Sequence, residues 1–130
     1  MNTGPQWTTS TTKSRSNLDE VRSEEDRVDE CLHNLIETGE EFAQAKADMD
    51  YYKERLKAVV AIGTANAPSN YKTVAEKTAY AYSTLQYDDT LDLYRNAVLL
   101  YNKLLALRQA WMQSIDVYRT RQANVRATRF

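Results

Sequence analysis

The chain has 130 residues, 42% of them hydrophobic and 27% charged, and a formal net charge of -1. Three glycines and two prolines are too few for a turn roughly every 8–12 residues, so an all-β fold is excluded and an all-α class is expected. One cysteine and one histidine exclude a disulfide framework and a zinc site, and neither a bilayer-length apolar run nor a secretory leader is visible, which implies a cytoplasmic protein.

The balanced net charge conceals a strong polarity. Residues 1–17 carry +2, residues 18–50 hold twelve acids against three bases, and residues 51–130 hold twelve bases against six acids. From Leu93 onward seven bases face a single acid, Asp116. Residues 1–16 are rich in Thr and Ser, show no periodicity, and predict a disordered arm. Trp7 is the arm's only large apolar group, either an exposed aromatic or a docking residue.

A first helix is expected over 17–62. Ser16 with Asp19, and Asn17 with Glu20, resemble capping boxes, and acids crowd the first turns where the helix dipole favours them. Val21, Val28, Leu35, Phe42, Met49 and Leu56 then recur every seven residues. Cys31, Thr38, Ala45, Tyr52 and Val59 fill the intervening seam positions, which is a heptad pattern with mixed d residues. Gly39, about 1 kcal/mol poorer than Ala inside a helix, is where this helix would loosen or break.

Residues 63–72 read as a connecting loop, with Gly63 as a C-cap and Pro68, Ser69 and Asn70 as turn formers. A second helix over 73–128 opens on the capping box Thr73–Glu76, with Asp88-Asp89-Thr90 its one candidate interruption. It carries two apolar stripes. Leu91, Tyr94, Val98, Tyr101, Leu105, Met112 and Ile115 form one, and Leu93, Ala97, Leu100, Leu104, Leu107, Trp111 and Tyr118 the other. A single fold-back partner covers only one stripe, so the fold expected for 17–130 is a long, coiled-coil-like antiparallel helical hairpin that assembles into an oligomer. The oligomer interface expected comprises Leu93, Leu100, Leu104, Leu107, Trp111 and Tyr118.

No catalytic constellation is visible, so the chain reads as a non-enzyme without cofactor or metal. Cys31 falls on the seam as a small apolar group, and His33, on the acidic helix, has no second His or Cys to act with. There is neither a glycine-rich phosphate loop nor a nucleophile elbow. Binding is the more informative class. Tyr80, Tyr87, Tyr94 and Tyr101 repeat every seven residues, either lining a helix interface or offering stacking surfaces to single-stranded bases. Lys53, Arg55 and Lys57 form one basic cluster; Arg108, Arg119 and Arg126, with Arg121 and Arg129 nearby, form another, rich in the side chain that suits bidentate phosphate contact. A hairpin turning near residue 67 would set Glu24, Glu25 and Asp26 beside residues 109–111, close to Arg108. It would leave Arg119, Arg121, Arg126 and Arg129 to meet an anionic partner.

Three segments resemble the bacteriophage UvsY-type recombination mediators. Tyr52-Lys53-Glu54-Arg55-Leu56 is similar to that family's Lys-x-Arg-Leu segment, which is also followed by a glycine-containing loop. Ser83-Thr84-Leu85-Gln86-Tyr87 resembles a Leu-Gln-Tyr opening the family's later helical region, and Ile115 to Arg126 resembles its closing helix. The resemblance implies a small helical homo-oligomer that binds single-stranded DNA and loads a RecA-like recombinase onto DNA coated with single-strand-binding protein. By the same resemblance Lys53 and Arg55 contact DNA and the C-terminal helix mediates assembly. The expectation is therefore a recombination mediator with nucleic-acid contacts at Lys53, Arg55, Lys57, Arg119, Arg121, Arg126 and Arg129. The alternative is a structural or adaptor coiled coil of phage assembly, in which these arginines pair with acids of neighbouring subunits.

Overall fold

The computed structural model describes residues 17–128, with side chains from Ser23 to Thr128. The expected arm 1–16 and Arg129 lie outside the described residues. The fold is all-α: α1 (Asn17–Glu37), α2 (Gly39–Ala65), α3 (Val74–Tyr82) and α4 (Leu85–Thr128), with no strand among the described residues. The chain divides into two compact units. One contains α1 and α4 from Arg108 onward; the other contains α2, α3 and α4 up to Leu107.

In place of one helix over 17–62, the chain forms two helices that meet at Thr38. Thr38 has φ -93° and ψ 0°, away from helical values, while its carbonyl still accepts from the Phe42 amide at 2.9 Å. Gly39, the weakest helix former in the segment, starts α2 at this break. A Cβ added to Gly39 would meet nothing within 4 Å, so the residue is there without a packing requirement.

Gly63 departs from its expected role. It has no positive φ and sits inside α2, which runs on to Ala65. Its lack of a side chain serves a close approach: a Cβ at Gly63 would stand 2.8 Å from the Ala81 Cβ and 3.0 Å from its Cα. Ala81 is wholly buried there, and α3 lies against α2. The connection after α2 is correspondingly shifted to 66–73.

α3 opens as the sequence predicts. The Thr73 Oγ1 accepts from the Glu76 amide at 3.1 Å, and the Glu76 carboxylate accepts from the Lys72 amide at 2.8 Å, one residue earlier than a reciprocal box would have it. The interruption before α4 falls at Ser83-Thr84, not at Asp88-Asp89-Thr90. The Ser83 hydroxyl donates to the Tyr80 carbonyl and the Thr84 hydroxyl to the Ala81 carbonyl, while Thr84 Oγ1 accepts from the Tyr87 amide. Side-chain competition for backbone groups does end the helix, but at this earlier pair. Asp88 instead lies in the first turn of α4, where its charge suits the dipole, and Thr90 is buried with its hydroxyl donating to the Gln86 carbonyl.

Within the α2–α3–α4 unit, α2 and α4 run antiparallel, marked by the stack of Phe42 on Tyr101 with centroids 5.3 Å apart. Ala45, Val59, Ala81, Thr90 and Leu104 are its buried residues. Leu104 is only 5% exposed, so it leaves the expected oligomer interface: it stands about 40° round the helix from Leu100 and is buried within its own chain. Leu93, Leu100 and Leu107 remain exposed. Replacing Gly39 with Ala should raise the unfolding midpoint, by about 0.5–1 kcal/mol of stability, and replacing Gly63 with Ala should lower it by about 1–3 kcal/mol through overpacking. Thermal and urea unfolding followed by circular dichroism tests the opposite signs.

Candidate nucleic-acid interface

α2 supplies the first basic cluster, and helical geometry splits it. Lys53 and Arg55, two residues apart, project about 200° from one another, whereas Lys53 and Lys57 share a face. All three are exposed. Lys57 lies 3.2 Å from the Glu54 carboxylate, one turn away; Lys53 and Arg55 form no ion pair among the described residues. Arg55 lines a groove of ≈ 490 Å³ with Tyr51 and Tyr52 from α2 and Leu85, Gln86 and Asp89 from the start of α4. Tyr51, 62% exposed, meets the half-buried Tyr52 edge to face, with ring centroids 5.2 Å apart. The Asp89 carboxylate is the groove's single acid. An aromatic face, a guanidinium and an amide thus line one concave surface, a combination able to stack a planar ring and hold an anion beside it.

The heptad tyrosines behave differently. Tyr80, Tyr87, Tyr94 and Tyr101 are all half-buried. Tyr101 stacks on Phe42, Tyr80 packs against Tyr71, and Tyr87 against Tyr82. Among the tyrosines the exposed rings are Tyr51 and Tyr82, which stand outside the seven-residue row. Sequence reading gave Tyr51 no role; its signal is the Tyr-Tyr pair one turn before Arg55.

In the other unit, α1 and the C-terminal part of α4 run antiparallel in a register shifted by more than two turns from the expected one. Glu24 pairs with Arg121 at 2.9 Å and Glu25 accepts from the Tyr118 hydroxyl at 3.1 Å, instead of either lying beside residues 109–111. The shift follows from the later turn, since α2 extends beyond residue 62 and α3 is interposed. Arg108 Nη1 donates at 2.7 Å to the carbonyl of Leu35, in the last turn of α1, where a backbone partner is lost at the Thr38 break. Arg121 is thus held by Glu24 and is not a free basic group, while Arg119 and Arg126 are exposed and form no ion pair among the described residues.

Trp111 and Tyr118 are half-buried in this unit, each lining a groove of ≈ 690 Å³ between α1 and α4 with Val28, Cys31 and Val117. Ile115 is the buried residue of this unit among the described residues. Cys31 is a free, half-buried thiol and His33 is exposed. Among the described residues no His/Cys/Asp/Glu group is placed to hold a metal ion, and no helix is long and apolar enough to cross a membrane.

No family model, curated protein or solved structure matches this chain.

The Tyr118 hydroxyl is pushed above its ordinary value, first by partial desolvation and then by the Glu25 carboxylate that accepts its hydrogen bond, with Glu24 and Asp29 acting in the same direction. A tyrosine raised in the folded state stabilises the fold fully below pH ~10 and loses that contribution as the pH climbs through the folded value. Wild-type stability should therefore fall more steeply above pH ~10 than that of Tyr118→Phe. Parallel alkaline profiles in urea titrations would reject the contact.

Proposed function

We propose that this chain is a non-enzymatic, self-associating protein that binds single-stranded DNA and acts as a recombination mediator. The observation that carries the reading is the groove where Arg55 stands with Tyr51 and Tyr52. Exposed rings stack bases without reading sequence, and an adjacent guanidinium draws in the phosphates between them. Lys53 and Lys57 on the other flank of α2 supply further charge for a backbone to follow, and in the other unit Arg119 and Arg126 on α4 are exposed bases able to contact phosphate. Self-association is supported by Leu100 and Leu107, exposed leucines at seven-residue spacing along α4, with Leu93 one heptad earlier at the edge of the Arg55 groove. The mediator role, with a RecA-like recombinase and single-strand-binding protein as partners, comes from the resemblance of the Tyr52–Leu56, Ser83–Tyr87 and Ile115–Arg126 segments to the UvsY-type proteins.

A structural coiled coil without nucleic acid is the competing reading. It is favoured by one specific observation: Arg108 and Arg121 are engaged by α1 within the chain. Anisotropy of labelled oligo-dT at about 50 and 200 mM salt separates the two. Binding should be present at the lower salt and drop steeply at the higher, because phosphate contacts release counterions. Lys53→Ala/Arg55→Ala should weaken binding and flatten the salt slope. Absence of binding at the lower salt leaves the structural reading.

Tyr51→Ala should cost about 1–3 kcal/mol of oligo-dT affinity if one base stacks there, with the salt slope unchanged. Tyr94→Ala, which alters a half-buried ring, should lower stability instead. Equal effects of the two substitutions on affinity would remove the groove from the binding site.

A further inference from the structure

Two apolar surfaces of the chain lack cover, one in each unit. In the unit of α1 and the C-terminal part of α4, the groove is floored by Val28, Cys31, Trp111 and Val117, and Val117 is 45% exposed. In the other unit, Leu93, Leu100 and Leu107 form an exposed row along α4, with Leu100 43% exposed. We propose that the groove of one copy receives the leucine row of a second copy, so that the chain assembles head to tail. The inference rests on the self-association proposed above and names the surfaces that carry it.

Three features favour this occupant. The lengths agree: the groove follows α4 from Ala110 to Arg121, about 17 Å, and the row from Leu93 to Leu107 measures about 21 Å. The charges agree as well. Glu30 on the groove rim and Lys103 between Leu100 and Leu107 are exposed and form no ion pair among the described residues, so each offers the other a partner across the interface. α1 from Glu24 to Glu37 holds six acids against the single base Arg27, so bringing two copies of it together would be repulsive, whereas Lys103 offers it an opposite charge toward the end of the row away from Asp48, which lies beside Leu93 and Leu100. Finally, a contact of row with row would leave every groove open, while the head-to-tail contact covers both surfaces at once. Such an interface uses different patches on its two sides, so it repeats until a ring closes or the chain ends run free.

Mixing variants tests this. Val117→Glu blocks the groove and Leu100→Glu blocks the row. Each alone should run in light scattering near 15 kDa, the mass of one chain, and an equimolar mixture should give a two-chain complex, because each retains one intact surface. Wild type assembling while the mixture stays single-chain would overturn the head-to-tail contact and leave self-association standing. Wild type itself running as one chain would overturn both. Either variant assembling unaided would also overturn it. A second measurement needs neither glutamate. Leu100→Cys, with the native Cys31, should yield an inter-chain disulfide on mild oxidation, lost in the Cys31→Ser background. A disulfide persisting in that background joins Leu100→Cys to its own copy and overturns the proposal in favour of row against row.

Discussion

The contact between Gly63 and Ala81 sets the geometry of the α2–α3–α4 unit. The Ala81 Cβ occupies the space where a side chain at residue 63 would begin, so α3 lies closer to α2 than two side-chain-bearing helices could approach. With α3 fixed there, the Ser83-Thr84 break determines where α4 starts and which way it leaves. Leu85 and Gln86 are the first residues of that helix, and they meet Tyr51, Tyr52 and Arg55 across the groove. A glycine eight residues after Arg55 thus governs whether the guanidinium has a concave surface to line.

α4 shows how an amphipathic pattern is divided in practice. Its polar and apolar residues do not form two clean halves, because neither α2 nor α1 is wide enough to shelter the full apolar arc. Tyr94, Tyr101 and Leu104 are taken up by α2's unit, Ile115 by α1's, and Leu93, Leu100 and Leu107 are left on the flank. The leftover residues are separated by whole heptads, so they align into one seam and are not scattered singly over the surface. The proposed self-association draws on that uncovered surface, whereas the proposed nucleic-acid contact draws on the separate groove at Arg55.

The helical class, the seam from Val28 to Val59 and the capping of α3 were legible because each depends on spacing within one segment. Thr73 and Glu76 need only stand three positions apart to declare a helix start. The misplaced features are those decided between segments. Gly63 reads locally as a helix terminator, and only the proximity of Ala81 reveals a packing role. The pairing of Glu24 with Arg121 follows from where the chain turns, and extending α2 by one turn displaces every facing pair. At the candidate site, the sequence shows Lys53, Arg55 and Lys57 as one cluster, yet a helix sends Arg55 to the groove and the lysines elsewhere. Tyr51 carries only the faint signal of its pairing with Tyr52, and its place in a groove shows once Leu85 and Gln86 stand opposite.

The continuity of α4 has a bearing on how this sequence can drift in length. Residues added or lost in the 66–73 connection, which is largely exposed, change the reach of a link whose two ends are already anchored by Ala81 and Gly63. One residue added between Leu93 and Leu104 would rotate everything downstream by about 100°, turning a buried leucine outward and a polar neighbour inward. Tolerance to insertion should therefore be confined to the connection, while the long helix behaves as a ruler whose count is fixed by what it must hide.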